Sequence, residues 1–206
     1  MVKLSILIPT TPDREHFLTR LKGQFYKQIG HVHPIPFDRS VFPEGLYGYT
    51  NDIVELIYFE DDREHSIGYK RNILLSISNA DYIAFIDDDD RIGENYFKRL
   101  LEGIEHDVDC CSLRGVITEN GINPLIFEHT IKYKAYKTNP DTEPIRYERY
   151  PNHLNCIRSS IAKQFTFPDK NHGEDTDWAT KIFNSGLLQM EHYIDEVIYF
   201  YEWKTK

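Results

Sequence analysis

Tyr82-Ile83-Ala84-Phe85-Ile86 runs without a break into Asp87-Asp88-Asp89-Asp90, and no other stretch restricts the fold of this chain as tightly. A continuous apolar run preceded by Asn79-Ala80-Asp81 predicts a strand buried on both faces within an α/β sheet. Its C-terminal edge then delivers the carboxylates. Open α/β sheets bind ligands just outside those edges. Adjacent like charges repel unless a cation joins them, and a hard divalent ion such as Mg²⁺ or Mn²⁺ prefers oxygen ligands. The competing account is a solvated acidic turn that caps the next helix.

Two other acidic motifs fail on spacing. An EF-hand loop beginning at Asp88 needs an oxygen ligand at Ile92 and a glutamate at Arg99. A phosphatase of the haloacid-dehalogenase type matches Asp87-x-Asp89 but requires Thr or Val where Arg91 stands. With 206 residues, 40% of them hydrophobic and 14% aromatic, the chain is expected to form one domain with a full α/β core. A net charge of −9 argues against a general nucleic-acid or anionic-membrane surface, yet allows phosphate binding through a metal and a few local cations. No apolar segment has the length of a membrane span, and the run from Leu4 to Pro9 is too short for a secretory signal. Three cysteines, two of them adjacent, make neither a metal pattern nor a disulfide framework, so a soluble, cytoplasmic protein is expected.

In chain order, Leu4 to Ile8 predicts a first strand, stopped by Pro9-Thr10-Thr11-Pro12. Thr11 can cap a helix that begins at Pro12 and carries Phe17, Leu18, Leu21 and Phe25 on one stripe. Thr10 and Arg14 then flank the edge of that strand. Gly30 to Asn51 reads as a long loop, and its His31 and His33 as surface residues. Val54 to Phe59 is a second strand ending in Glu60-Asp61-Asp62. Ser66 to Asn79 is a helix whose Lys70 and Arg71 point toward the sheet edge, into salt bridges with Asp61, Asp62 or the Asp87 cluster, onto a ligand, or, for one arginine, both. Glu94 to Ile104 is an amphipathic helix, with Glu94 suited to its positive end. Asp109 to Ile117 resembles another strand, and alternation from Ile131 to Tyr136 suggests a hairpin. Arg146, Tyr147, Arg149 and Tyr150 interleave cations with aromatics, as surfaces that hold nucleic acid or sugar do, but Asp141, Glu143 and Glu148 fit a solvated flap. Gln189 to Ile194 and Val197 to Tyr201 are the last strands.

A second acidic motif, His172-Gly173-Glu174-Asp175-Thr176-Asp177-Trp178, opens a helix that runs to about Ser185 and stops at Gly186. Asp175, Trp178, Ala179 and Ile182 share a stripe, which directs Asp175 toward the body of the protein. Stabilisation by the helix dipole is the simpler explanation of these acids.

Ile8-Pro9-Thr10, Asp61-Asp62, Lys70-Arg71-Asn72, Asp87-x-Asp89 and Gly173-Glu174-Asp175 resemble, in order and spacing, the motifs of GT-A fold glycosyltransferases, particularly family 2, over Leu4 to Gly186. The resemblance implies a single-domain, Rossmann-like α/β fold with a central, mostly parallel mixed sheet flanked by helices. The nucleotide-sugar half is expected over about 1–105 and the acceptor half over 106–206. It implies a metal-dependent transfer of sugar from a UDP- or GDP-sugar to a hydroxyl of a glycan or glycoprotein, with inversion. Thr10, Arg14, Asp61, Asp62 and Arg71 would contact the nucleotide, Asp87 and Asp88 the ribose or metal shell, and Asp89 the Mn²⁺ or Mg²⁺ directly. Asp175 would be the general base, with Glu174 and Trp178 near the acceptor. Two departures stand out. The 30–51 loop is long, and the family's late metal-binding histidine is replaced around Glu202 and Trp203, with His192 a poorly placed substitute. A sugar nucleotidyltransferase would need a Gly-rich loop after strand one; a non-catalytic glycan-binding module would use the tyrosine-rich flap.

Overall fold

The computed structural model describes residues 2–140 and 143–203; Asp141, counted with the flap above, lies outside them. The elements run β1 (Leu4–Thr10), a 3₁₀ turn (Pro12–Arg14), α1 (Glu15–Ile29), β2 (His33–Pro34), β3 (Leu46–Thr50), β4 (Val54–Glu60), α2 (Ile67–Ile77), β5 (Tyr82–Phe85), β6 (Arg91–Ile92) and α3 (Tyr96–Ile104). They continue with β7 (Cys110–Cys111), β8 (Leu113–Glu119), β9 (Ile122–His129), β10 (Lys137–Thr138), β11 (Tyr147–Arg149), β12 (Ile157–Arg158), α4 (Ser159–Ala162), α5 (Glu174–Ser185), β13 (Glu191–His192) and β14 (Val197–Trp203).

The central mixed sheet has the order β13-β7-β12-β5-β1-β4-β3-β2. Its middle is parallel, with β1 between β5 and β4, whereas β3 and β12 flank that centre antiparallel. Alternation along β1 explains why helices cover both faces. Leu4, Ile6 and Ile8 join Leu18, Leu21 and Phe25 of α1 and Phe97 and Leu100 of α3 in one core. Leu7 joins Ile57, Phe59, Ile83 and Phe85 with Leu74 of α2 and Trp178 and Ile182 of α5 in the other. Ser5, buried among them, gives its hydroxyl to Glu55, whose carboxylate also accepts the Asn79 amide at 2.8 Å.

Several expectations are revised. Thr11 does not cap the first helix; its hydroxyl binds Asp13, and a 3₁₀ turn precedes α1. The loop from Gly30 to Asn51 contains two strands, because Leu46 and Gly48 face inward along β4 while Tyr47 faces out. Asp109 to Ile117 is interrupted at Ser112, which switches the chain from the central sheet into a second one, ordered β10-β11-β9-β8-β14-β6. Glu94 lies in the turn before α3 rather than in its first helical turn. Residues Ile131 to Tyr136 form no hairpin. A hairpin forms instead at β8–β9, joined by Asn120 and Gly121 at φ 51 and 78, the positive values that a two-residue turn between right-twisted strands requires. Helix α5 ends as expected, with Gly186 at φ 68. Among the described residues no helix is long and apolar enough to cross a membrane.

Candidate active site

The C-terminal ends of β1, β4 and β5 lie side by side, and polar groups from each meet there. Thr10 donates its hydroxyl to Asp88 at 2.6 Å, and Arg14 grips the same carboxylate through Nε at 2.8 Å while reaching Asp89 at 2.8 Å. Burial drives the Asp88 carboxyl above its ordinary range, and the bonds from Arg14 and Thr10 offset only part of that. At the end of β4, Asp61 pairs with the buried Lys70 and with His65 Nδ1 at 2.7 Å. Burial pushes Asp61 up, but Lys70 and His65 outweigh it and hold the carboxyl below its usual value. Lys70 also donates to the Thr10 carbonyl at 2.7 Å, so one ammonium ties β1 to β4.

Arg71 is the hub of the site. It is 3% exposed and donates to Asp87 at 2.8 Å and to Glu174 at 2.8 Å. Phe85 and Phe167 flank its guanidinium, at 5.8 and 5.7 Å. Burial raises the Asp87 carboxyl, and Arg71 with His153 more than reverses this, leaving it well below the carboxylate range. Asp90 behaves oppositely. It is fully buried beside Asp87, accepts the Tyr199 hydroxyl at 2.6 Å, and is held well above the range by burial and its acidic neighbour. His153 closes the gap between the two acidic motifs: Nε2 lies 3.8 Å from Asp87, Nδ1 lies 3.6 Å from Asp175, and the ring is 4% exposed.

Thr10, Arg14, Asp87, Asp88 and Asp89 therefore form one cluster, with Asp61 joined through Lys70. Asp62 is not part of it: its side chain is 85% exposed and, among the described residues, reaches only Arg63, at 4.0 Å. Of the roles open to Arg71, the structure shows the ion pair, its buried head held between Asp87 and Glu174. Within Glu174-Asp175 the positions are the reverse of those expected from the helical stripe. Glu174 is buried against Arg71, while the Asp175 side chain keeps 30% of its surface. Trp178, expected beside the acceptor, has no exposed surface; it stacks on Phe167 at 4.7 Å and donates Nε1 to the Phe165 carbonyl. His192 sits against Gly103 and stacks on His106, away from these acids. Sequence reasoning passed over His153, which has no periodic neighbours in Pro151-Asn152-His153-Leu154-Asn155. It also passed over buried His129, whose Nδ1 meets Asn155 at 3.2 Å and whose imidazolium form is disfavoured by burial down to about 3. The only signal was a cluster of polar residues just ahead of a strand.

Among the described residues no group of three or more His, Cys, Asp or Glu side chains is arranged to hold a metal by itself. The donor set nevertheless suits a hard cation. Along Asp87-Asp88-Asp89-Asp90 the first and third carboxylates keep 34% and 26% of their surface, and the second is turned inward at 4%. Asp87 and Asp89 thus keep surface at the edge, each with one oxygen held by an arginine, and would supply the oxygen donors such a cation prefers.

A parallel-centred sheet with alternate carboxylates at its C-terminal edge and a second acidic helix beside it defines the GT-A class of glycosyltransferase fold. The chain belongs to glycosyl transferase family 2, whose model matches residues 42–165. S. aureus TarS 1-349 in complex with UDP is similar in structure, with a TM-score of 0.64, 18% identity, and coverage of 98% of this chain and 60% of that one. The complex of TarS 1-349 with UDP-GlcNAc gives 0.64 and 17%, with coverage of 100% and 60%. At that identity the likeness is one of fold, and this chain spans about 60% of the TarS chain. No curated protein matches it in sequence.

Proposed function

We propose that this chain transfers a sugar from a nucleoside-diphosphate sugar, UDP- or GDP-linked, to a hydroxyl of a glycan or glycoprotein acceptor, with inversion and with a divalent cation, Mn²⁺ or Mg²⁺. Residues of about 1–105 would bind the donor, and those of 106–206 would face the acceptor. One observation carries the reading. Asp87 at the sheet edge and Asp175 on α5 face each other across His153, so a donor held by the first acid presents its sugar to the second. The free, buried cysteines are suited to a reducing cytoplasm.

Thr10, Arg14 and Asp61 would line the base and ribose, with Asp88 fixed by Thr10 and Arg14 as a rigid acceptor of hydrogen bonds. Arg71 would hold Asp87 in place through Nη2. A divalent cation held by Asp89 and Asp87 would neutralise the charge that grows on the leaving diphosphate. Asp175, the open acid of its pair, would take the proton of the attacking hydroxyl on the face opposite the leaving group, and attack from that side inverts the anomeric carbon. Glu174 would act through Arg71 rather than touch the acceptor. Strand one ends in Pro9-Thr10-Thr11-Pro12 and offers no glycine-rich phosphate loop, which speaks against the nucleotidyltransferase alternative.

Calorimetry with UDP and GDP, in Mn²⁺ and in chelator, tests the donor half. Binding is expected to need the metal and to weaken in Asp89→Ala; equal affinity in chelator would remove the metal from the scheme. Slow release of nucleoside diphosphate from the matching sugar nucleotide separates an enzyme from a glycan-binding module.

A further inference from the structure

We propose that Arg149 anchors an anionic group, a phosphate or a carboxylate, on the acceptor, so that the substrate class is an acidic rather than a neutral glycan. The proposal rests on the glycosyltransferase reading above. Arg149 lies on β11, opposite His129 of β9. Its guanidinium sits between the rings of Tyr136 and Tyr147, at 4.9 and 5.3 Å. Nη1 is occupied by the carbonyls of Lys137 at 2.6 Å and Glu148 at 2.8 Å, and neither Nε nor Nη2 has a hydrogen bond among the described residues.

Arg149 differs in its charge partners from the two arginines of the donor edge. Arg14 and Arg71, at the donor edge, each hold two carboxylates. Arg149 forms no ion pair among the described residues, in a chain whose net charge is −9. A partly buried guanidinium without a counter-ion has lost hydration and gained no Coulomb attraction in return. Burial accordingly pulls its proton affinity down, against the neighbouring tyrosines.

The position is on the acceptor side. Tyr136 lies 4.5 Å from Tyr150, which stacks at 4.3 Å on Phe183 of α5 and shares a 2.8 Å hydrogen bond with Thr180 of the same helix. Asp175 opens that helix and acts electrostatically on Tyr136, as Arg149 does. An acceptor bound here would meet the unused edge of the guanidinium with its charge. That edge matches the paired oxygens of a carboxylate or phosphate. Nucleic acid is the poorer occupant, because Glu143 and Glu148 belong to the same segment.

The test is a calorimetric titration of the full chain, with its donor site first filled by a nucleoside diphosphate and Mn²⁺, using glucose 6-phosphate, glucuronate and glucose as probes. Wild type is expected to bind at least one anionic probe about tenfold or more tighter than glucose, the worth of a charge-assisted hydrogen bond. The two anionic arms tell phosphate from carboxylate. Arg149→Gln should erase the preference without changing diphosphate affinity, and Arg149→Lys should keep part of it even if the glutamine variant folds poorly. Equal binding of all three probes by wild type, no binding of any, or an intact preference in a folded Arg149→Gln overturns the proposal. Failure of the donor reading looks different: the diphosphate itself does not bind, while the preference among probes is still measured.

Discussion

Replacing Arg71 with methionine keeps its length and apolar stem but leaves two carboxylates, Asp87 and Glu174, facing each other without the cation that holds them. Arg71 is 3% exposed and Glu174 4%, so water does little to replace the lost partner. Breaking a buried ion pair from one side costs about 3–5 kcal/mol, which for a chain of this size lowers Tm by about 6–20 °C. The pH dependence provides the sharper check. In wild type the folded-state pKa of Asp87 is depressed, so its contribution is fully present above the unfolded value of about 3.9 and is lost as pH falls through the lower folded value. Without Arg71, only His153 is left to oppose burial on Asp87, so the carboxyl's pKa rises and the variant recovers stability relative to wild type on acidification. Urea unfolding followed by tryptophan fluorescence at pH 7 and pH 4.5 should therefore show a deficit that is largest at pH 7. A loss below about 1 kcal/mol at pH 7, or a deficit that grows toward acid, would show that desolvation of Arg71 already cancels its ion pairs.

Asp175→Asn keeps the size of the side chain and removes only its basic oxygen, so transfer should fall by about 100-fold or more while metal-dependent diphosphate binding stays within a few-fold; near-normal transfer would move the base assignment to another acid. Gly68→Ala places a methyl group 1.9 Å from the Pro168 carbonyl oxygen and should destabilise the chain by about 1–3 kcal/mol, read from urea midpoints. The His129 ring, with its pKa pressed down to about 3, should show no titration between pH 5 and 8 by NMR. Because the unfolded ring has a pKa of about 6.5, stability should fall as pH drops below that value, and ring titration near neutrality would refute the account.

The parts of the fold legible in the sequence are those in which burial is local. Leu4 to Ile8, Val54 to Phe59 and the Ser66 helix carry their burial in their own spacing, and the carboxylates after Ile86 announce the edge they stand on. The second sheet was not legible, since β8 pairs with β14 from 83 or 84 residues further on and no periodicity encodes such a partner. Asn120-Gly121 carries the turn chemistry of the β8–β9 hairpin, which the sequence reading passed over in favour of the alternation from Ile131 to Tyr136. Within the site, a helical stripe gave Asp175 the inward place that Glu174 takes. The stripe ranks positions by angle alone, whereas a buried cation on α2 decides which carboxylate the interior can accept.

The strand pairing also bears on how this chain could be divided or recombined. β5, which delivers the acids, pairs on one side with β1 and on the other with β12, through Ile83↔Ile157. A cut near residue 105 would bare a row of unpaired amides along β5 and leave Arg71 and Glu174 on separate pieces. Neither fragment should persist alone, but the two carry complementary edges and opposite charges at one seam. The chain is thus suited to reconstitution from fragments and poorly suited to exchange of one half for that of a relative, unless α2 and α5 travel together.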